Sequence, residues 1–198
     1  MLRQKCLMMR REIRQATAAD AAIISGIYAK SWKAAFRGQL PDGYLDQLPA
    51  DHWTVFFTTV LTEGSLSAKL IYDKKQAVGA IAYGAARMEL PVGGMLTGDG
   101  RDYSDFGEIV SLYLLPEYYG KEYGRQLLEC VKEELMGQYV GVYLWVLREN
   151  VRARRFYEKM GFLPTEETCL CEIDGKLLTD IRYVYHKGNQ QNMIFRRS

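Results

Sequence analysis

The chain has 198 residues, 48% of them hydrophobic and 25% charged, the balance of one globular domain with a sizeable core rather than a fibrous, disordered or two-domain protein. Its 26 basic and 24 acidic residues leave a formal net charge of +2, which excludes a global electrostatic case for nucleic acid, so any anion site must be local. No stretch reaches the roughly 18 apolar residues of a membrane helix, and the charged N-terminus lacks a signal-peptide core, so a cytoplasmic protein with no membrane partner is expected.

Residues 1–10 lack periodicity and read as a frayed leader before a single domain over residues 11–186. Residues 11–16 fit a short strand, and Thr17 with Asp20 three positions on makes a capping-box-like helix start. Ile23, Ile24, Ile27 and Tyr28 then recur at helical spacing, and Trp32 and Phe36 extend the stripe as far as Gly38. A proline-started turn and short helix follow over residues 40–48. A third helix is predicted over residues 51–61, with Trp53, Phe56, Phe57 and Val60 on its buried face.

From residue 66 the pattern changes. Two apolar runs, 66–72 and 77–85, flank Asp73-Lys74-Lys75-Gln76 and predict a β-hairpin. The glycine-rich stretch 91–107 predicts a surface loop of a length that is often functional. Strand (108–115), helix (120–136), strand (139–147) and a short helix (151–160) closed by Gly161 come next. A final strand pair, 168–173 and 178–185, surrounds the turn signal Asp174-Gly175, and the polar tail 187–198 is expected to fray. Cys6, Cys130, Cys169 and Cys171 include no Cys-x-x-Cys pair and lie far from His52 and His186, so no metal site is expected and the thiols read as reduced, small hydrophobes.

Chemistry concentrates in two segments. Pro116-Glu117-Tyr118-Tyr119-Gly120-Lys121-Glu122-Tyr123-Gly124-Arg125 joins an apolar strand to an amphipathic helix. Such a junction aims unpaired helix N–H groups and the positive end of the helix dipole at one point, suited to a pyrophosphate, with Lys121 and Arg125 adding charge. No Gly-Lys-Ser or Gly-Lys-Thr follows, so it is not a nucleotide P-loop. The second segment runs from Leu144 through Asn150 to Phe162, with Asn150 at a helix start and Tyr157 two turns in.

The spacing Asn150, Ala153, Tyr157, Gly161, Phe162 resembles the Asn-x-x-Ala-x-x-x-Tyr-x-x-x-Gly-Phe signature of the GNAT superfamily of N-acetyltransferases, and the first segment resembles that family's cofactor loop. The resemblance extends from Ile13 to Tyr183 and is strongest between Glu108 and Phe162. It implies an α/β fold of the α+β type: a mixed, twisted sheet of about seven strands, flanked by four or five helices, whose two central parallel strands splay apart around acetyl-CoA. The family loop, Gln/Arg-x-x-Gly-x-Gly/Ala, meets Tyr119 and Glu122 at its first and fourth positions, and Gly124 matches outright. A carboxylate beside a pyrophosphate weakens binding unless it points to solvent or pairs with Lys121 or Arg125.

Roles follow from the resemblance. Tyr157 becomes the general acid for the CoA thiolate, and the general base is either Glu108, at the strand start upstream of the loop, acting directly or through water, or a chain of waters. Cofactor contacts are expected from Leu112, Tyr113, Leu114, Tyr119, Gly120, Lys121, Glu122, Tyr123, Gly124, Arg125, Asn150 and Tyr157. A bulge near residues 112–114 would aim the Leu114 N–H at the thioester oxygen. Trp32, Phe36 and Glu108 are expected at the acceptor. The implied reaction is direct attack of a primary amine on acetyl-CoA in a ternary complex, the acceptor being a small molecule. A peptide amine, as in protein N-terminal or lysine acetylation, and a non-catalytic acyl-CoA-binding module are the alternatives. The resemblance also leaves open a homodimer through an edge strand of the closing hairpin.

Overall fold

The computed structural model describes residues 11–87, 95–97 and 102–186. The leader 1–10, the tail 187–198 and most of the glycine-rich stretch lie outside the described residues. In chain order the elements are β1 (Glu12–Gln15), a 3-10 turn (Ala18–Asp20), α1 (Ala21–Ala35), α2 (Asp42–Gln47), α3 (Thr54–Glu63), β2 (Ser67–Asp73), β3 (Gln76–Ala85), β4 (Met95–Thr97), β5 (Phe106–Leu114), a 3-10 turn (Pro116–Tyr118), α4 (Tyr123–Met136), β6 (Gly141–Leu147), α5 (Val151–Lys159), β7 (Leu163–Ile173) and β8 (Lys176–His186).

The strands form one mixed sheet in the order β1-β2-β3-β5-β6-β8-β7-β4. Among the described strands only β5 and β6 are parallel neighbours, and α4 is their crossover. Along β2, Leu70 and Ile71 join different buried clusters, as alternation across a strand requires, so the sheet is covered on both faces. On one face α4 lays down the stripe Tyr123, Leu127, Leu128, Val131 and Leu135 against Ile81, Ile109 and Leu144. Leu127, Leu128 and Val131 are completely buried, and each contributes roughly 1.5–3 kcal/mol. On the other face α1 and α3 bury Ile24, Ile27, Tyr28 and Phe57 against Leu70, Ala80 and Ala82.

Three boundaries differ from the sequence reading, each for a local reason. The glycine-rich stretch holds a strand, β4, whose register on β7 (Met95↔Leu170 to Thr97↔Thr168) covers the middle of the outer edge of the closing hairpin. Three residues are too few to show alternation in sequence. The helix expected from residue 120 begins at Tyr123, because Gly120 (φ +72°) and Glu122 (φ +68°) are left-handed. β7 begins at Leu163 rather than 168, and an irregularity between Pro164 and Thr168 hides its period.

The feature that makes the site is the end of the β5–β6 pairing. The parallel register runs from Phe106↔Gly141 to Ile109↔Leu144 and stops. Beyond it β5 stays with β3 and β6 with β8, so the two strands part. The parting coincides with a bulge: Tyr83 faces Ile109 and Ala82 faces Ser111, which leaves Val110 as the extra residue. The bulge therefore falls just before the expected stretch 112–114. Helix α1 secures the freed strand, because the Tyr28 and Ser111 hydroxyls hydrogen-bond and the Ser31 hydroxyl donates to the Leu114 carbonyl.

Candidate active site

Where β5 leaves β6, a cavity of about 230 Å³ opens between residues 112–114, the start of α4 and the start of α5. Gly124 lets the helix approach: a Cβ there would stand 3.2 Å from the Leu114 side chain and 3.7 Å from the Phe156 ring. The first α4 backbone bond runs from the Gln126 N–H to the Glu122 carbonyl (3.0 Å), so the N–H groups of Tyr123, Gly124 and Arg125 precede any intrahelical acceptor. With the helix dipole they form an anion-seeking end. Glu122 is exposed and paired with Arg125 (3.2 Å), which also holds Glu129 (3.0 Å). Tyr119, Gly120, Glu122, Gly124, Arg125, Asn150 and Tyr157 all line this cavity. The side chains of Lys121 and Tyr123 do not: Lys121 stands 5.4 Å from the Tyr118 ring, and buried Tyr123 lies under the Arg11 guanidinium (3.9 Å).

A second cavity, about 220 Å³, lies on the other side of the parted strands. Trp32 of α1, Phe36 at its C-cap, Leu147 of β6, and Leu178 and Asp180 of β8 line it. Leu112, Tyr113, Asn150, Ala153 and Tyr157 border both cavities. Asn150 is also the N-cap of α5, accepting the Ala153 N–H at 3.1 Å, so the residue that starts the helix is fixed at the common wall. The Tyr157 side chain is buried, and that burial pushes its phenol above the ordinary value and keeps the proton on oxygen. Burial, then the charge of Glu149, pushes the Asp180 carboxyl up to about 6. The Cys171 thiol, also lining the second cavity, is raised to about 11, first by burial and then by Asp180.

Glu108 lies in the paired half of β5, is 1% exposed and lines neither cavity. Its carboxylate accepts from the Arg87 backbone N–H (3.1 Å), Nε (2.9 Å) and Nη2 (2.6 Å) and from the Tyr143 hydroxyl (3.0 Å). Among the described residues no group of three or more His, Cys, Asp or Glu side chains is placed to hold a metal ion, and no helix is long and apolar enough to cross a membrane.

Residues 30–162 match the model of the acetyltransferase (GNAT) family. The chain belongs to that family. PaiA N-acetyltransferase from Thermoplasma acidophilum, solved in complex with coenzyme A, has a similar fold: 19% identity, TM-score 0.64, with 90% of this chain and 99% of that one covered. YncA from Salmonella typhimurium, solved with acetyl-CoA, gives 19% identity and a TM-score of 0.61 over 89% of this chain and 93% of its own. Ribosomal-protein-alanine N-acetyltransferase from Brucella melitensis gives 19% and 0.63 over 88% and 99%. No curated protein matches the chain.

In this acetyltransferase the parted strands and the helix starts gather residues that the sequence reading passed over. Arg152 and Phe156 line the first cavity, and the Arg152 guanidinium sits 3.9 Å from the Tyr119 ring centroid. Helical spacing carries that signal, since Arg152 and Phe156, like Ala153 and Tyr157, are four residues apart and share a face with the signature tyrosine. Asp180 carries no such local signal. It is one acid in a strand, and its register opposite Leu147 brings it to the parted end.

Proposed function

We propose that this enzyme transfers the acetyl group of acetyl-CoA to the nitrogen of a small primary amine by direct attack, with both substrates bound together. The observation that carries this reading is the wall common to the two cavities, formed by Leu112, Tyr113, Asn150, Ala153 and Tyr157. A thioester along one cavity and an amine in the other have their meeting point there.

The first cavity suits CoA. Unclaimed N–H groups of residues 123–125, with Arg152 and the nearby Lys121 and Arg125, fit a pyrophosphate, and the backbone of residues 112–114, free of β6, fits the pantetheine amides. The tie from Ser31 to the Leu114 carbonyl fixes the strand end from which the Leu114 N–H would polarise the thioester oxygen. Tyr157 holds its proton until a thiolate develops beside it and then donates it. Direct attack is favoured over an acetyl-cysteine because the Cys171 thiol, raised to about 11, stays protonated and a poor nucleophile. Glu108, with both oxygens engaged by Arg87 and Tyr143, holds Arg87 beside the acceptor cavity instead of taking a proton. Cys130, Cys169 and Cys171 are free, which supports a reducing, cytoplasmic setting.

Thiol release measured over a panel of primary amines at saturating acetyl-CoA tests the reading. Amine-dependent release is the expected result. Acetyl-CoA binding by calorimetry with no release on any amine would replace it with an acyl-CoA-binding module.

A further inference from the structure

Resting on that assignment of the two cavities, we propose that Asp180 anchors the acceptor: its carboxylate receives the ammonium of a primary amine carried on an apolar, ring-sized body and takes the proton that must leave before the nitrogen attacks.

Among the described residues the buried carboxylates are answered by cations, Asp20 by Arg14 (2.6 Å), Glu108 by Arg87 (2.6 Å) and Glu167 by Arg182 (3.1 Å). Asp180, half-buried at the parted end opposite Leu147, has no such cation. Its carboxylate has no hydrogen-bond donor or cation partner among the described residues, and it faces the second cavity. A carboxylate in an apolar site without a partner is costly unless a ligand supplies one. Arg87 borders the same cavity but is committed to Glu108. The uncommitted charge of the cavity is therefore negative. Trp32 and Phe36, packed edge to face at 4.9 Å, add aromatic surface that favours a cation and walls an apolar body. A cavity of roughly 150 Å³ admits benzene, so about 220 Å³ admits a ring with a short aminoalkyl arm.

The chemistry balances. An ammonium has no lone pair, and transfer of one N–H proton to Asp180 exposes it. The neutral nitrogen forms the C–N bond to the thioester carbon and the C–S bond breaks. The nitrogen then sheds a second proton, Tyr157 protonates the departing thiolate and is reprotonated through solvent by that second proton, and Asp180 releases the first. One proton is liberated per acetyl group transferred. Burial and Glu149 raise the Asp180 carboxyl to about 6, which leaves it ionised at neutral pH yet basic enough for the task. The other titratable and charged groups around it are Glu149, the Arg87 guanidinium already held by Glu108, the Tyr113 and Tyr157 phenols and the Cys169 and Cys171 thiols. Burial raises these phenols and thiols, so they stay neutral.

The test compares Asp180→Asn with the wild type, using phenethylamine and its neutral isostere phenethyl alcohol as probes. Titrated by NMR without acetyl-CoA at neutral pH, the wild type should prefer the amine by roughly 10- to 100-fold and the variant should show no preference. In thiol release, wild-type kcat/KM should fall on the acid side with a midpoint near about 6. Glu149→Gln should move that limb downward, and Asp180→Asn should abolish it. Ionisation of a carboxyl raised by folding opposes the fold above about pH 6, so Asp180→Asn should also melt higher at neutral pH and lose that advantage as pH falls. A merely structural aspartate would give a lower melting point and an unchanged probe preference. Equal wild-type binding of the two probes, or an amine preference that survives Asp180→Asn, overturns the proposal. If the variant does not fold, the wild-type probe pair and acid limb decide alone. An amine preference lost in Asp180→Asn, with no thiol release from any amine, would uphold the Asp180 site and overturn acetyl transfer.

Discussion

The two halves of β5 and β6 behave oppositely although they belong to the same strands. Over residues 106–109 and 141–144 the strands pair, and the carboxylate in that half, Glu108, is satisfied by Arg87 and Tyr143. Past the Val110 bulge the strands part, and the carboxylate at that end, Asp180, faces a cavity without a partner. The carboxylate of the paired half is spent on holding the fold together, whereas that of the parted end is not. The difference between these two carboxylates is what sets the ends of the sheet apart.

Substitutions can break or sharpen this contrast. The largest effect is expected at the parted end: Tyr157→Phe should lower the single-turnover rate by about 10² to 10⁴ while calorimetric CoA affinity stays the same, because the ring packing survives and the proton donor does not. Retention of the full rate would reduce Tyr157 to a packing residue. At the paired end, Glu108→Ala strands the Tyr143 hydroxyl and the partly exposed Arg87. It should cost about 2–3 kcal/mol in denaturant unfolding, opposite in sign to the Asp180→Asn effect at neutral pH. Equal signs for the two carboxylates would erase the distinction between the halves.

A smaller cost is expected for Gly141→Ala, because a Cβ there meets the Phe106 ring and lies 3.0 Å from the Tyr185 carbonyl. Overpacking of this kind costs about 1–3 kcal/mol, read from the shift in melting temperature, and should leave kcat unchanged if the paired half is only structural. The smallest effect concerns Glu122→Gly. It removes a left-handed residue (φ +68°) and frees Arg125 from an exposed ion pair, at the entropic cost of a glycine. The expected change in stability is below about 1 kcal/mol. CoA affinity by calorimetry should be unchanged or tighter, and a clear loss would give Glu122 a positive part in binding.

What the sequence made legible is what local physics fixes. The α4 stripe, the left-handed Asp174-Gly175 turn (φ +50° and +75°) and the Asn150 cap on Ala153 each need only neighbours a few positions away. That Asn150 and Tyr157 come to one wall was legible for the same reason, since their spacing lies on one helix and its cap. The bulge at Val110 was not, because it exists only in the register of β5 against β3. Asp180 acquires its position from β6 alongside and α1 across the cavity, elements far from it in the chain. The glutamate offered as a base by resemblance is paired with Arg87, a partner 21 positions away that lies beyond any local pattern.

The walls of the two cavities come from different parts of the chain. Apart from Ala35, the first is built from β5, α4, α5 and their connections, whereas the second adds Trp32, Phe36 and Leu40 near α1 and Cys171, Ile173 and Leu178 from the closing hairpin. Substitutions in those outer elements can therefore reshape the second cavity without replacing a residue that lines the first. The architecture is modular: on the proposed assignment of the cavities, the range of amines served can be revised from the periphery while the walls of the donor cavity stay as they are.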